Sequence, residues 1–127
     1  MLKGIGIDIV DIGKIKRIIE TRKEKFYSRV FSKTEVIAIE NVRKKNEKRG
    51  FQKAAGYFAA KEAFLKAAGK GLFSIPLNKI TIFNGEEGRP YIRLELETEI
   101  NGVENFFSAH VSITHDKGFA CAVVAVQ

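Results

Sequence analysis

Disulfides, long apolar runs and repeats are all missing from this sequence. Its one cysteine, Cys121, excludes an internal disulfide, which fits a reducing compartment. No apolar stretch approaches the roughly 20 residues that a membrane-spanning helix needs. The opening Met-Leu-Lys-Gly-Ile-Gly lacks the apolar core of a secretory signal. These absences lead to the expectation of a cytoplasmic protein without membrane insertion. Neither an internal repeat nor a low-complexity segment is visible. Two histidines and one distant cysteine do not form a zinc pattern.

What is present is ordinary in amount and uneven in distribution. The 127 residues are 45% hydrophobic and 29% charged, which predicts one globular domain over 1–127. At that length the surface is large relative to the core, so association with further copies would help. The net charge is +7. Residues 14–53 carry 14 Lys/Arg against 5 Asp/Glu, whereas the rest of the chain carries 8 against 10. So concentrated a positive charge speeds encounter with an acidic partner, whether protein, nucleic acid or anionic lipid. Its plain alternative is a solvated helix face.

Hydrophobic periodicity divides the chain into helices early and strands late. Residues 2–10 alternate as a strand, with Asp8 opposite Ile5, Ile7 and Ile9. Asp11 can cap a helix whose apolar stripe is Ile15, Ile18 and Ile19. Ser32-Lys33-Thr34-Glu35 has the form of a capping box, predicting a helix over 33–46 with Val36, Ile39 and Val42 inward. Residues 44–50 read as a polar break. An alanine-rich helix over 51–68 then ends at Gly69. Strands are predicted over 79–83, 91–97, 107–114 and 119–126, with a polar link at 99–105. The fold class is α+β, helices packed on a mostly antiparallel sheet.

Three places stand out chemically. Asp8 lies in an isoleucine-rich strand, where a carboxylate must be exposed, paired or bound to a cation. Glu62 and Lys66 share one face of an otherwise apolar helix. They make either a surface ion pair or charge placed at a cleft, within a Lys-Glu-x-x-x-Lys stripe that starts at Lys61. Gly69-Lys70-Gly71 follows at a helix C-terminus, whose dipole repels anions, so a helix cap and turn accounts for the glycines without a ligand. In His110-Val111-Ser112-Ile113-Thr114-His115, alternation sets His110, Ser112 and Thr114 opposite Val111, Ile113 and His115. A serine–histidine pair from adjacent positions is awkward there. His115, at a strand end beside a turn, is the better site candidate, and a hydrogen-bonded structural role is the default for both histidines.

Four strings in order carry a resemblance: Gly4-Ile5-Gly6-Ile7-Asp8-Ile9-Val10, then Phe58-Ala59-Ala60-Lys61-Glu62-Ala63-Phe64-Leu65-Lys66-Ala67, then Gly88-Arg89-Pro90-Tyr91, and last His110 to His115. Together they resemble the holo-acyl-carrier-protein synthase family of 4'-phosphopantetheinyl transferases over nearly the whole chain. The resemblance implies a homotrimer with active sites at subunit interfaces. It implies that Asp8 and Glu62 hold Mg²⁺, and that Glu62, Lys66 and His115 are catalytic. Lys66, Gly69, Lys70, Gly71, Gly88, Arg89, Pro90, Ser112 and His115 would meet coenzyme A. Lys14, Arg17, Arg22 and Lys25 would dock an acidic acyl carrier protein.

The implied reaction, placed in fatty acid biosynthesis, has a carrier serine attack the β-phosphate of coenzyme A, with adenosine 3',5'-bisphosphate leaving. Lys66 would steady charge on the leaving phosphate, and His115 would orient phosphate. A metal-associated water held by Glu62 is one option for the base. Lys14 stands where family members often have arginine, Lys70 replaces a small polar residue, and residues 97–107 fit the pattern poorly. Two rivals differ in class. A nucleic-acid-binding domain would use the basic segment beside Phe26, Tyr27 and Phe31, yet no RNA-binding motif is recognisable there. A non-catalytic protein on the same fold would lack a metal carboxylate, and both are present.

Overall fold

The computed structural model describes residues 1–69, 75–94 and 108–127. Strand β1 (Gly4–Asp11) leads into helix α1 (Ile12–Val30), followed by α2 (Lys33–Lys45) and α3 (Glu47–Ala67). A 3₁₀ turn (Leu77–Lys79) precedes the hairpin β2 (Ile80–Asn84) and β3 (Pro90–Leu94). Strands β4 (Ala109–Asp116) and β5 (Phe119–Val126) close the order. Among the described residues no helix is long and apolar enough to cross a membrane.

Local chemistry sets the helix boundaries. Asp11 Oδ1 accepts from the backbone N–H of Gly13 at 2.8 Å and of Lys14 at 3.3 Å, capping α1. The helix kinks at Arg22, where φ is −143° and ψ is 40°. The capping box of α2 forms in full: Ser32 N–H donates to Glu35 Oε1 at 2.8 Å, and Glu35 N–H donates to Ser32 Oγ at 3.4 Å. The expected break at 44–50 shrinks to one residue. Asn46 caps α3 by accepting from Arg49 N–H at 3.0 Å, so the helix starts at Glu47 rather than Phe51.

Strands β1, β5 and β4 form one antiparallel sheet in that order, and β2 pairs with β3 separately. The β4–β5 turn passes through Lys117 and Gly118, both at positive φ as a tight hairpin requires. The sequence-derived strand over 91–97 is seen as Pro90–Leu94, and its remainder lies outside the described residues, as do residue 107 and the 99–105 link. Helix α3 lies across the inner face of the sheet. Ala59, Ala60, Ala63 and Ala67 are buried there, and their small side chains let helix and sheet approach closely.

The alternation along β1 is as expected, but solvent lies on the isoleucine side. Ile5, Ile7 and Ile9 are 65%, 61% and 64% exposed, while Gly6 and Val10 are buried. Phe119 and Val123 of β5 are exposed on that same outer face. Asp8 belongs to the inner face, against α3.

Candidate active site

Two glycines bring Asp8 to the helix. A Cβ on Gly4 would sit 1.9 Å from the Ala67 carbonyl oxygen, and one on Gly6 would sit 2.1 Å from that of Ala63. No side chain fits at either position, so β1 rests on the backbone of α3. Two residues further along, Asp8 meets Lys66 and Glu62. Lys66 Nζ donates to Asp8 Oδ1 and to the Ile7 carbonyl, both at 3.0 Å. Of the two alternatives for Lys66, an ion pair along its helix or charge placed at a cleft, the structure shows the lysine reaching across to the strand.

The charges here do not balance. The Asp8 side chain is only 11% exposed, and its Oδ2 is buried without a partner. Burial first, and the neighbouring Asp8 charge second, push the Glu62 carboxyl up to about 7, against the opposing pull of Lys66 and Lys14. Two carboxylates and an orphaned oxygen in one half-buried place favour a shared proton or a cation. Their hard oxygens suit Mg²⁺ or a similar ion. Among the described residues no third His, Cys, Asp or Glu joins the pair. A cation here would complete its shell with water and ligand oxygens.

The raised Glu62 value has a thermodynamic sign. An acid raised in the folded state contributes stability that is fully present below its ordinary 4.5 and is lost as pH rises through about 7. Glu62→Gln stays neutral throughout. Its Tm is therefore expected to gain on that of the native protein between pH 4.5 and 8, in the absence of divalent ions. Thermal unfolding across that range checks this, and a pH-independent gap overturns it.

A second site lies at the opposite edge of the sheet. Between α3, the β2–β3 turn and β4 is a cleft of about 440 Å³ lined by Arg49, Lys53, Tyr57, Asn84 and His115, with Gly56, Gly88, Pro90 and Ile113 among its walls. Among the described residues it presents cationic groups and no carboxylate. Burial alone lowers the Lys53 pKa, and burial raises that of Tyr57. Lys53 Nζ donates to Asn84 Oδ1 at 2.9 Å, and the Tyr57 hydroxyl donates to the same oxygen.

The sequence-derived candidates therefore divide. Asp8, Glu62 and Lys66 converge at the β1 edge, and Lys14 is near enough for its charge to act on Glu62. Gly88, Pro90 and His115 line the cleft at the β4 edge. Arg89 is exposed, its guanidinium 5.8 Å from the Tyr91 ring centroid. Ser112 is exposed on the outer face of β4, turned from the cleft-lining Ile113 and His115. Gly69 follows α3 with a φ of +72°, as a helix-ending glycine does, while Lys70 and Gly71 lie outside the described residues. Lys14, Arg17, Arg22 and Lys25 are all exposed along α1.

Sequence reading missed Arg49, Lys53, Tyr57 and Asn84. Arg49, Lys53 and Tyr57 recur every fourth residue along α3, a helical stripe that the expected break over 44–50 cuts at Arg49. It also grouped Lys61 with Glu62 and Lys66. Lys61 turns away from them, fully buried against Glu35.

Residues 4–124 match the family model described as the 4'-phosphopantetheinyl transferase superfamily. The holo-[acyl-carrier-protein] synthase of Staphylococcus carnosus is 41% identical over 128 residues, spanning 100% of this chain and 98% of that protein. The crystal structure of the Helicobacter pylori holo-[acyl-carrier-protein] synthase in complex with coenzyme A is similar at a TM-score of 0.79 and 35% identity, covering 97% of this chain and 99% of that one. The Bacillus anthracis enzyme in complex with CoA (3',5'-ADP) is similar at a TM-score of 0.80 and 31% identity, covering 99% and 96%.

Proposed function

The chain belongs to the 4'-phosphopantetheinyl transferase superfamily, within its holo-[acyl-carrier-protein] synthase group, and from that premise we propose that it moves the 4'-phosphopantetheine arm of coenzyme A onto a serine of apo-acyl carrier protein. The serine oxygen bonds to the β-phosphorus, the bond from that phosphorus to the bridging oxygen breaks, and adenosine 3',5'-bisphosphate leaves. The serine proton passes to a base. The product, a holo-carrier, serves fatty acid biosynthesis in the cytoplasm, and the unit responsible is one domain over 1–127.

The meeting of Asp8 and Glu62 across β1 and α3 carries this reading. The orphaned Asp8 oxygen and the like-charge pair fit Mg²⁺, which those two residues would hold. When bound, the ion supplies charge neutralisation of the diphosphate and polarisation of the phosphorus. Lys66, held by Asp8, presents an ammonium beside the same place and steadies charge on the leaving phosphate. Glu62 accepts the serine proton through a water. At the cleft, Arg49, Lys53 and His115 offer donors to the nucleotide phosphates, and Gly88 and Pro90 wall its adenosine end. Gly69, Lys70, Gly71, Arg89 and Ser112 complete the coenzyme A contacts by family likeness.

The acidic pair and the cationic cleft sit at opposite edges of one sheet, β1 and β4. A homotrimer accounts for this separation. Each complete site takes the carboxylates from one protomer and the cleft from the next, and a head-to-tail ring of three closes without free ends. The exposed Ile5, Ile7, Ile9 and Val123 supply an apolar face for that association.

Incubation with apo-carrier, coenzyme A and Mg²⁺ tests the reaction. The carrier is expected to gain about 340 Da, the mass of the arm that a phosphoryl transfer of this kind delivers. An unmodified carrier in the presence of all three overturns the reading.

Carrier docking is proposed to use Lys14, Arg17, Arg22 and Lys25, exposed on both sides of the α1 kink. Reversing Arg22 and Lys25 to glutamate is expected to raise KM for the carrier about tenfold or more at low salt, with kcat changed little. The native KM should rise with ionic strength and that of the variant should not, because screening acts over about 8 Å at 0.15 M. Steady-state kinetics at two salt concentrations read both effects.

A further inference from the structure

Asn84 ends β2 at the mouth of the cationic cleft, and both ends of its amide are in use. Its Oδ1 accepts from Lys53 Nζ at 2.9 Å and from the Tyr57 hydroxyl, two donors one turn apart on α3. Its Nδ2 donates to the Gly88 carbonyl at 2.8 Å. The turn it serves is closed on itself, with Gly85 N–H donating to Arg89 O at 2.8 Å and Gly88 N–H to Gly85 O at 3.0 Å. Gly85 also packs against the Tyr91 ring, where a Cβ would approach to 2.6 Å. The turn is therefore braced internally, and one amide side chain fastens it to α3.

The partner chosen for Lys53 matters. Its ammonium also lies 4.8 Å from the Tyr57 ring centroid, and among the described residues no carboxylate lines the cleft. An ammonium has three donors, and the amide oxygen takes one. A neutral acceptor fixes its direction without cancelling its charge. A carboxylate at position 84 would cancel that charge and face the Gly88 carbonyl with no N–H to offer.

We propose that Asn84 is a positioning residue for coenzyme A, holding the Lys53 ammonium toward a phosphate of the nucleotide and fixing the distance between α3 and the β2–β3 turn. The proposal rests on the coenzyme A reading above. It deepens that reading by assigning cleft geometry to an amide that itself bonds no phosphate.

The test compares the native protein with Asn84→Ala, Asn84→Asp, Lys53→Met and the Asn84→Ala/Lys53→Met pair. Calorimetric binding of adenosine 3',5'-bisphosphate is measured beside steady-state transfer from coenzyme A. Asn84→Ala is expected to weaken bisphosphate binding about tenfold and raise KM for coenzyme A by a similar factor, with kcat within about twofold. Asn84→Asp, nearly the same shape, should weaken binding at least as much, because it neutralises Lys53. The double variant should be no weaker than Lys53→Met alone, as expected when one residue acts through the other. A merely structural role would lower kcat and Tm and would add to the Lys53→Met effect. If the native protein binds the bisphosphate and Asn84→Ala binds it equally well, or if the two losses add, the proposal falls and the coenzyme A reading stands. If the native protein binds neither bisphosphate nor coenzyme A, both fall.

Discussion

Glu62→Gln is expected to lower transfer of the phosphopantetheine arm by about 10³-fold, or about 4 kcal/mol of transition-state stabilisation. The substitution preserves side-chain volume and removes one of the two carboxylates that meet between β1 and α3. Glu62 is pushed up to about 7 chiefly by burial and then by Asp8. Its ionised form is thus costly in the free protein, and a cation or an added donor relieves that cost. Two readouts separate this from damage to the fold. Binding of a divalent ion, followed by calorimetry, should be lost together with activity, while the Tm at pH 8 should match or exceed that of the native protein. Turnover by Glu62→Gln within tenfold of native would remove the metal role from this residue and end the mechanism built on it.

The sequence made this pair legible because each member is anomalous in its own element. Asp8 interrupts an alternating strand, and Glu62 interrupts an alanine-rich helix. Their convergence was not legible from periodicity. It depends on Gly4 and Gly6 leaving β1 free to rest on the carbonyls of Ala67 and Ala63. Which side of β1 meets solvent was equally hidden. A period of two distinguishes the faces without saying which is covered, and the usual expectation that isoleucine is inside fails for a face this chain leaves open. That failure is itself informative, since three isoleucines in a row on an open sheet face call for a covering surface.

The cleft was illegible for a different reason. Lys53 and Asn84 are 31 residues apart, and nothing in a basic helix or a hairpin asparagine announces that they share a hydrogen bond. Local chemistry reads well when the partners are close. Asp11 and the Ser32–Glu35 box were visible because their acceptors and donors are two or three residues away. Glu35 shows both cases at once: one carboxylate serves as a local cap and as the partner of a lysine 26 positions on.

That second role leads to the largest expected loss of stability. Lys61 and Glu35 are both fully buried, and their ion pair ties together five segments. Lys61 Nζ donates to Glu35, to the Val30 carbonyl at 2.6 Å and to the Leu77 carbonyl at 3.0 Å. Glu35 accepts in turn from the N–H groups of Ser32 and Ile82, each at 2.8 Å. Lys61→Met fits the volume but strands a carboxylate in the core, and it is expected to cost about 3–5 kcal/mol. Burial already outweighs Lys61 and raises the Glu35 pKa. Its contribution is therefore fully present below the ordinary 4.5 and is lost as pH rises, and without Lys61 that loss deepens. The deficit of Lys61→Met should accordingly be larger at pH 8 than at pH 5. Adding Glu35→Gln should restore part of it, because the stranded charge is gone while an amide oxygen still accepts from a backbone N–H. Urea unfolding at matched protein concentration compares the native protein with both variants. A Lys61→Met protein within about 1 kcal/mol of native at pH 8 would mean that water or a rearranged neighbour reaches Glu35, and that the pair does not hold the helices to the hairpin.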